Sequence, residues 1–338
     1  MSGIQGDRPL RIAVVGAGIA GLACARELQK GGVRVTVFER DMQPGGRLGA
    51  AESASGSYDG GAQFLTLHSG EFAPELRAWV NADVVRTWEA RVVHLVDGQV
   101  KPAPSGPVRM VGVPNMRAIA NYLARDLDLA CLVDIDHLVR TPTGWLLFDR
   151  MGVPVGNTPF DAVALAMPSA HALPIARDAG NFAARLHEVA WNACWVTTVV
   201  LSRASTIEFD AAFIDDDPIL GWAARDSSKP MRKVASGIAE RWVLQARPAW
   251  SNSFASLPAT EACRWMQRAF AARLGLPLAQ RRCTATRWAV STPANCLPDT
   301  HLWDPAEGLG CAGDWLGSPH IEGAFLSGRS LARAILGT

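Results

Sequence analysis

The stretch Arg11-Ile12-Ala13-Val14-Val15-Gly16-Ala17-Gly18-Ile19-Ala20-Gly21-Leu22-Ala23, closed by Val33-Arg34-Val35-Thr36-Val37-Phe38-Glu39, decides the reading of the fold. The apolar run Ile12 to Val15 has the composition of a buried parallel strand. Gly16 permits a tight turn out of it, Gly18 lets backbone approach a pyrophosphate, and Gly21 lets the next helix pack close on the strand. That helix carries Ile19, Leu22, Ala23 and Leu28 toward the sheet and ends at Gly31-Gly32. A second strand, Val33 to Phe38, delivers Glu39, an acid that can accept hydrogen bonds from a ribose while the helix N-terminus holds phosphate. The glycine pattern alone is weak. With strand, helix, second strand and an acid 23 residues after the first glycine, it predicts a dinucleotide-binding βαβ unit.

Outward from this unit, 338 residues leave room for one large or two medium domains. Hydrophobic residues make up 49% and charged residues 19%, enough for a substantial core and against disorder. The net charge of +1 gives no argument for a nucleic-acid partner or an acidic membrane surface. Seven scattered cysteines without a Cys-x-x-Cys pair argue against a disulfide framework or a zinc site and fit a reducing compartment. The first apolar run follows Asp7, Arg8 and Arg11 and enters the glycine turn directly, so it reads as a strand and not a signal peptide. Val189 to Leu201 is too short, and too polar at Asn192, Thr197 and Thr198, to span a bilayer. No membrane contact, no metal and a cytoplasmic location are expected. Twelve tryptophans against two tyrosines have no physical explanation in the sequence, although an aromatic-lined pocket would use some of them.

Pro44-Gly45-Gly46-Arg47 is a turn whose bare amides and arginine suit a second pyrophosphate contact, or a plain surface loop. Asp59-Gly60-Gly61 marks another close backbone approach. Helices are predicted over Pro74 to Asn81, with Leu76, Trp79 and Val80 on one side, over Met116 to Leu127 with Asn115 as N-cap, and over Glu261 to Leu274. Strands are predicted over Val85 to Leu95, Ala130 to Val139, Gly144 to Asp149, Phe160 to Met167, much of Val189 to Ile238, Trp242 to Ala246 and Thr284 to Trp288. A final strand-turn-helix runs from Gly308 through Gly313-Asp314-Trp315 and Ile321 to Gly337. The ends belong to one sheet and the middle is richer in strands. The expected organisation is a discontinuous dinucleotide domain (1–75, 105–170 and 285–338) interrupted by a substrate domain (76–104 and 171–284).

Taken in order, Gly16-x-Gly18-x-x-Gly21 with Glu39, Gly45-Gly46-Arg47, Asp59-Gly-Gly61-Ala62-Gln63-Phe64, Val111-Gly-x-Pro114-x-Met116, Arg287-Trp288, and Gly313-Asp314-Trp315 with Glu322-Gly323-Ala324-x-x-Ser327-Gly328 resemble the FAD-dependent amine-oxidase superfamily. Within it the chain looks like short bacterial proteins of the renalase type, over nearly its whole length, though weakly between 170 and 280. The resemblance implies an α/β fold of the glutathione-reductase/amine-oxidase type: a Rossmann-like FAD-binding domain with a second, strand-rich substrate domain. It implies non-covalent FAD, with Gly16, Gly18, Ala20 and Gly21 at the pyrophosphate and Glu39 and Arg40 at the adenosine ribose. Gly46 and Arg47 would lie along the diphosphate or ribityl chain, with the backbone of Val133 beside adenine. Gly61, Ala62, Gln63, Asp314, Gly323 and Ala324 complete the implied cofactor set. A helix N-terminus at Gly323 and Ala324 suits the negative charge of a reduced flavin near N1.

The implied activity is an FAD-dependent oxidase of dihydronicotinamide nucleotides reduced at the wrong ring carbon (2- or 6-dihydro isomers), passing hydride to flavin N5 and electrons to molecular oxygen. Such chemistry asks the protein mainly to position two rings and exclude water. Gln63, Phe64, Gln245, Arg287 and Trp288 are the candidate catalytic residues, and Trp222 a further candidate for the pocket wall. Each aromatic taken singly reads better as core, and Gln63 and Arg287 read equally as structural hydrogen bonds. His320 is a candidate positive charge beside the flavin or a solvated loop histidine. The renalase pattern usually has a histidine where this chain has Leu244-Gln245-Ala246-Arg247. That departure keeps open an amine or amino-acid oxidase or dehydrogenase, with Arg247 on a substrate carboxylate. A non-catalytic flavin-binding protein and a protein that binds only NAD are further alternatives.

Overall fold

The computed structural model describes residues 8–104, 106–176, 182–275 and 285–338. Asp7 and Thr284, used above, lie outside them. The chain divides into two compact units: 1–46, 120–190 and 293–338 form the first, and 47–119 and 191–292 the second. Residues 47–75, 105–119 and 285–292 therefore fall with the second unit, and 171–190 with the first, where the sequence reading had each the other way.

In the first unit the order across the sheet is Leu302–Asp304, Leu309–Cys311, Ala162–Leu165, Arg11–Val15, Arg34–Glu39, Asp128–Cys131. All pairings are parallel except that of the edge strand Leu302–Asp304. Ile12, Ala13 and Val14 are buried, as a central parallel strand requires. From Arg11–Val15 the chain proceeds to one side and returns later on the other. Its C-terminal end is therefore a topological switch point, where ligands of such sheets bind. Helix Ile19–Lys30 follows the glycine turn and packs against the last helix, Ile321–Leu336, closely enough that a Cβ at Gly328 would meet the Ala20 carbonyl oxygen at 1.9 Å. Gly337, at φ 74°, ends that helix in a left-handed turn. A three-stranded antiparallel sheet, Ile135–Thr141, Gly144–Asp149 and Pro154–Phe160, completes the unit's strands.

The second unit holds a seven-stranded sheet in the order Thr286–Pro293, Trp191–Leu201, Glu240–Ala246, Leu220–Arg225, Ala211–Ile214, Val92–Val96, Gln99–Pro102. Alternation along its strands gives two faces. One carries Val93, Ala212, Ala223 and Leu244 and is buried with Met266 and Phe270 of helix Ala259–Leu274. The other carries the candidate site.

Several predicted elements differ. The strand expected over Val85 to Leu95 is two, Val85–Thr87 and Val92–Val96, in different sheets. Ala130 to Val139 also splits, at Leu132, whose φ of 61° breaks extended geometry. Phe160 to Met167 breaks at Asp161, whose N–H turns to the Arg11 carbonyl. The helix expected over Met116 to Leu127 is shorter, Arg117–Leu123, and the Asn115 side chain donates to Ser57 Oγ. Val80 is exposed, unlike Leu76 and Trp79. The helices Ser169–Ala176 and Pro248–Ser253 were not anticipated.

Candidate active site

In the first unit the glycine turn and the acid at the end of the second strand meet. Gly16 sits at φ 104°, where a Cβ would also lie 2.6 Å from the Ala166 carbonyl oxygen. Gly21 approaches the turn so closely that a Cβ would lie 1.9 Å from the Gly16 oxygen. Gly18, by contrast, faces open space, and a Cβ there would meet nothing within 4 Å. As N-cap of Ile19–Lys30 it offers no side-chain cap, and the first turn holds no acid, so the helix start is bare toward an anion. The Glu39 carboxylate is buried and bracketed: one oxygen accepts the Ala17 N–H at 2.8 Å, the other the Asp41 N–H at 3.0 Å. Each oxygen keeps a lone pair for a further donor. Gly45 donates to the Ala17 carbonyl at 2.9 Å, which lays the second glycine turn, with Gly46, against Gly18. Val133 donates to the Glu39 carbonyl at 2.9 Å, so it borders the acid, while Arg40 beside it is exposed. Ala20 is buried in the first turn of the helix.

At the other end of the chain Asp314 is buried in the loop between Leu309–Cys311 and Ile321–Leu336. Gly323 lies ahead of the first helical hydrogen bond, but Ala324 donates its N–H to the His320 carbonyl at 2.9 Å. The pair of outward amides expected there is thus reduced by one.

In the second unit the segment Asp59-Gly60-Gly61 is clamped from three sides. Gln63 Nε2 donates to the Asp59 and Gly61 carbonyls (2.6 and 3.0 Å). Gln245 Nε2 donates to the Gly61 carbonyl at 2.9 Å, and Trp288 Nε1 to that of Gly60 at 2.7 Å. Gly61 is backed by Arg47, whose carbonyl accepts the Ala62 N–H at 2.9 Å and would lie 2.0 Å from a Cβ at Gly61. The Arg47 guanidinium donates to the Ser291 carbonyl at 2.9 Å and covers the Trp191 ring. Three sequence candidates therefore converge, but with polar atoms turned to backbone. Arg287, next to Trp288 on an extended strand, points to the other face and donates to the Ser251 carbonyl. Arg287 and Trp288, both candidate catalytic residues, thus lie on opposite faces of this strand. Arg247 is likewise engaged, with the carbonyls of Asp217 and Ile214 at 2.6 Å each.

Beneath this segment lies an ionic cluster that the sequence reading missed. Asp59 pairs with Lys229 at 2.9 Å and with Arg232, and Asp226 pairs with Arg241 at 2.7 Å, all fully buried or nearly so. Lys229 also bonds Gln63 Oε1 at 3.1 Å and lies over the Trp88 ring. Burial pushes the Asp59 carboxyl up, but Lys229, Arg232 and the Met116 N–H outweigh it and hold the pKa below the ordinary value. Ser227-Ser-Lys-Pro230 has the composition of a turn. Only pairing across the fold makes its lysine internal.

The sheet face opposite the core presents one cross-strand row: Gln245 opposite Trp222, Trp222 opposite Phe213, Phe213 opposite His94. Phe64 packs on Trp222 with centroids 5.6 Å apart, and Phe213 on Trp222 at 4.7 Å. An antiparallel bridge between Leu65 and Met110 brings Arg109 alongside, its guanidinium 5.5 Å from the Phe64 centroid. Gln245, Trp222 and Phe64 were legible as candidates. Phe213, His94 and Arg109 needed the strand register.

Residues 14–82 match the model of an NAD(P)-binding Rossmann-like domain. A phytoene dehydrogenase of Streptomyces griseus is 52% identical over 56 residues, 17% of this chain and 11% of that protein. The chain thus spans about a tenth of the length of that curated relative. Among solved structures, a protein from Exiguobacterium sp. 255-15 regarded as a protoporphyrinogen oxidase matches 98% of this chain and 99% of its own, with a TM-score of 0.75 and 11% identity. Cyclohexylamine oxidase from Brevibacterium oxydans IH-35A matches 98% and 99%, with a TM-score of 0.69 and 14% identity. At such identities the likeness concerns the fold. That fold is the FAD amine-oxidase fold, built on a Rossmann-like dinucleotide domain. Among the described residues no helix is long and apolar enough to cross a membrane.

Proposed function

We propose that the protein is an FAD-dependent oxidoreductase that accepts a hydride from a small planar substrate, a dihydronicotinamide nucleotide reduced at the wrong ring carbon, and gives the electrons to oxygen. The observation that carries the reading is the cradle of the first unit. A buried, bracketed Glu39 carboxylate stands beside a bare helix start and open space over Gly18, which fits the ribose and pyrophosphate of an ADP moiety. Gly16, Gly18, Gly21, Glu39 and Gly46 would hold that half of FAD without a covalent bond, with Asp314 and Gly323 as further contacts. FAD, when bound, supplies the hydride acceptor and the route for two electrons to oxygen. The rest falls to the chain's own residues. The aromatic row of Trp222 and Phe213 with Phe64 gives a planar substrate a wall and excludes water. Gln63, Gln245 and Trp288 fix the Asp59-Gly60-Gly61 backbone, which is a positioning role.

Amine oxidation is the second reading, favoured by the fold shared with cyclohexylamine oxidase. Its sequence argument weakens, because Arg247 is spent on the carbonyls of Asp217 and Ile214. The purified protein is expected to absorb at roughly 450 nm, as an oxidised flavin does. Anaerobic mixing with isomerised NADH should bleach that band within seconds, and air should restore it with formation of peroxide. Bleaching by amines but not by the dihydronicotinamides would establish the second reading instead. A colourless protein that retains only NAD would refute both.

A further inference from the structure

We infer that Arg109 and Trp222 form a subsite for an oxyanion carried on or beside a planar ring, and that this subsite selects the substrate. Arg109 Nε and Trp222 Nε1 are both buried and have no hydrogen-bond partner among the described residues. A buried donor without an acceptor is costly, so each of the two marks a place where an acceptor belongs. Both side chains pack on Phe64, which is what links them: the guanidinium carbon lies 5.5 Å from its centroid and the Trp222 ring 5.6 Å.

Arg109 differs in kind from Arg185, Arg225 and Arg232, whose Nε atoms likewise have no hydrogen-bond partner among the described residues. Arg185, Arg225 and Arg232 each hold a carboxylate through their guanidinium groups, Asp299, Asp210 and Asp59 respectively. Arg109 has no such acid among the described residues, although burial already disfavours its charged form. A guanidinium presents a fork that matches carboxylate or phosphate oxygens, and the neighbouring rings offer faces to an attached plane. The same charge repels an ammonium group. The subsite rests on reading the second unit as the substrate unit, and within that reading it favours an anionic nucleotide over an amine.

The test is isothermal titration of the purified full chain with benzoate, phenyl phosphate and benzamide, which share a ring and differ in charge. At least one of the two anions should bind ten times more tightly than neutral benzamide, and the better one identifies carboxylate or phosphate as the source. Arg109→Met should remove that preference and Arg109→Lys should retain part of it. Trp222→Phe, which removes the N–H donor together with part of the ring, should weaken the anion about threefold or more relative to benzamide, and that change in preference decides the matter if Arg109→Met does not fold. Equal affinity for all three probes, no binding of any, or an unchanged anion preference in the folded variants would overturn the subsite. Because the readout is heat of binding and not turnover, these results do not depend on whether the flavin reaction itself is found.

Discussion

Asp59 shows how one residue can carry the second unit's polar interior. Its carboxylate is fully buried yet ionised, because Lys229 at 2.9 Å and Arg232 stand against it and the Met116 N–H donates to it at 2.9 Å. Removing one partner of such a cluster leaves an uncompensated buried charge, which typically costs roughly 3–5 kcal/mol. Asp59→Asn should therefore destabilise the protein by about that much near neutral pH, read by denaturant unfolding. The pH dependence has a definite sign. The folded carboxyl titrates below its ordinary value of 3.8, so as pH falls through 3.8 the unfolded chain takes up a proton that the folded chain refuses. Stability contributed by Asp59 is present above that pH and drains away below it. The melting temperature of the native protein should fall on acidification below about pH 4, and Asp59→Asn should flatten that fall. An unchanged acid slope in the variant would show that the cluster is not held by this charge. None of this was readable from Asp59 alone, whose sequence signal was the two glycines after it.

Elements were legible where composition and backbone agree. Ile12 to Glu39 announced itself because a buried strand, three spaced glycines and a second strand have few other uses, and the last helix because Gly337 stops it. The middle resisted because its decisive events are single backbone choices. Leu132 adopts a left-handed φ that no composition announces, and Asp161 turns its N–H to another strand. The site row was half legible. Gln245 and Trp222 stood out as unusual side chains, but that they face each other across two strands, with Phe213 and His94 continuing the row, depends on register. The βαβ element offers a sharper test than any single contact. Gly21→Ala would place a methyl 1.9 Å from the Gly16 oxygen, so helix Ile19–Lys30 must move off the turn. Overpacking of this kind costs about 1–3 kcal/mol. Because the shift displaces the helix start, retention of dinucleotide should fall by tenfold or more, measured by equilibrium dialysis against FAD. A variant that melts lower yet keeps its FAD affinity would separate the helix position from binding.

At the scale of the whole molecule, two units with separate sheets raise the question of how many transitions the chain makes when it unfolds. A ligand whose adenosine half is expected in the first unit answers it. At a free FAD concentration of about 100 times the dissociation constant, binding stabilises the native state by about 2.7 kcal/mol. Unfolding entropy near 60 °C is about 2.1 cal/mol/K per residue. If all 338 residues unfold together, that entropy is about 0.7 kcal/mol/K and removing FAD should lower the melting temperature by roughly 4 °C. If the first unit, about 160 residues, unfolds by itself, the same energy is spread over half the entropy. Its transition should then shift by roughly 8 °C while a second transition stays in place. Differential scanning calorimetry with and without FAD distinguishes the two, and titration with NAD in place of FAD supplies the comparison. A shift with NAD and none with FAD would assign the Glu39 cradle to a nicotinamide nucleotide. A shift confined to the second unit's transition would mean that the adenosine half is held by residues other than Gly16, Gly18 and Glu39.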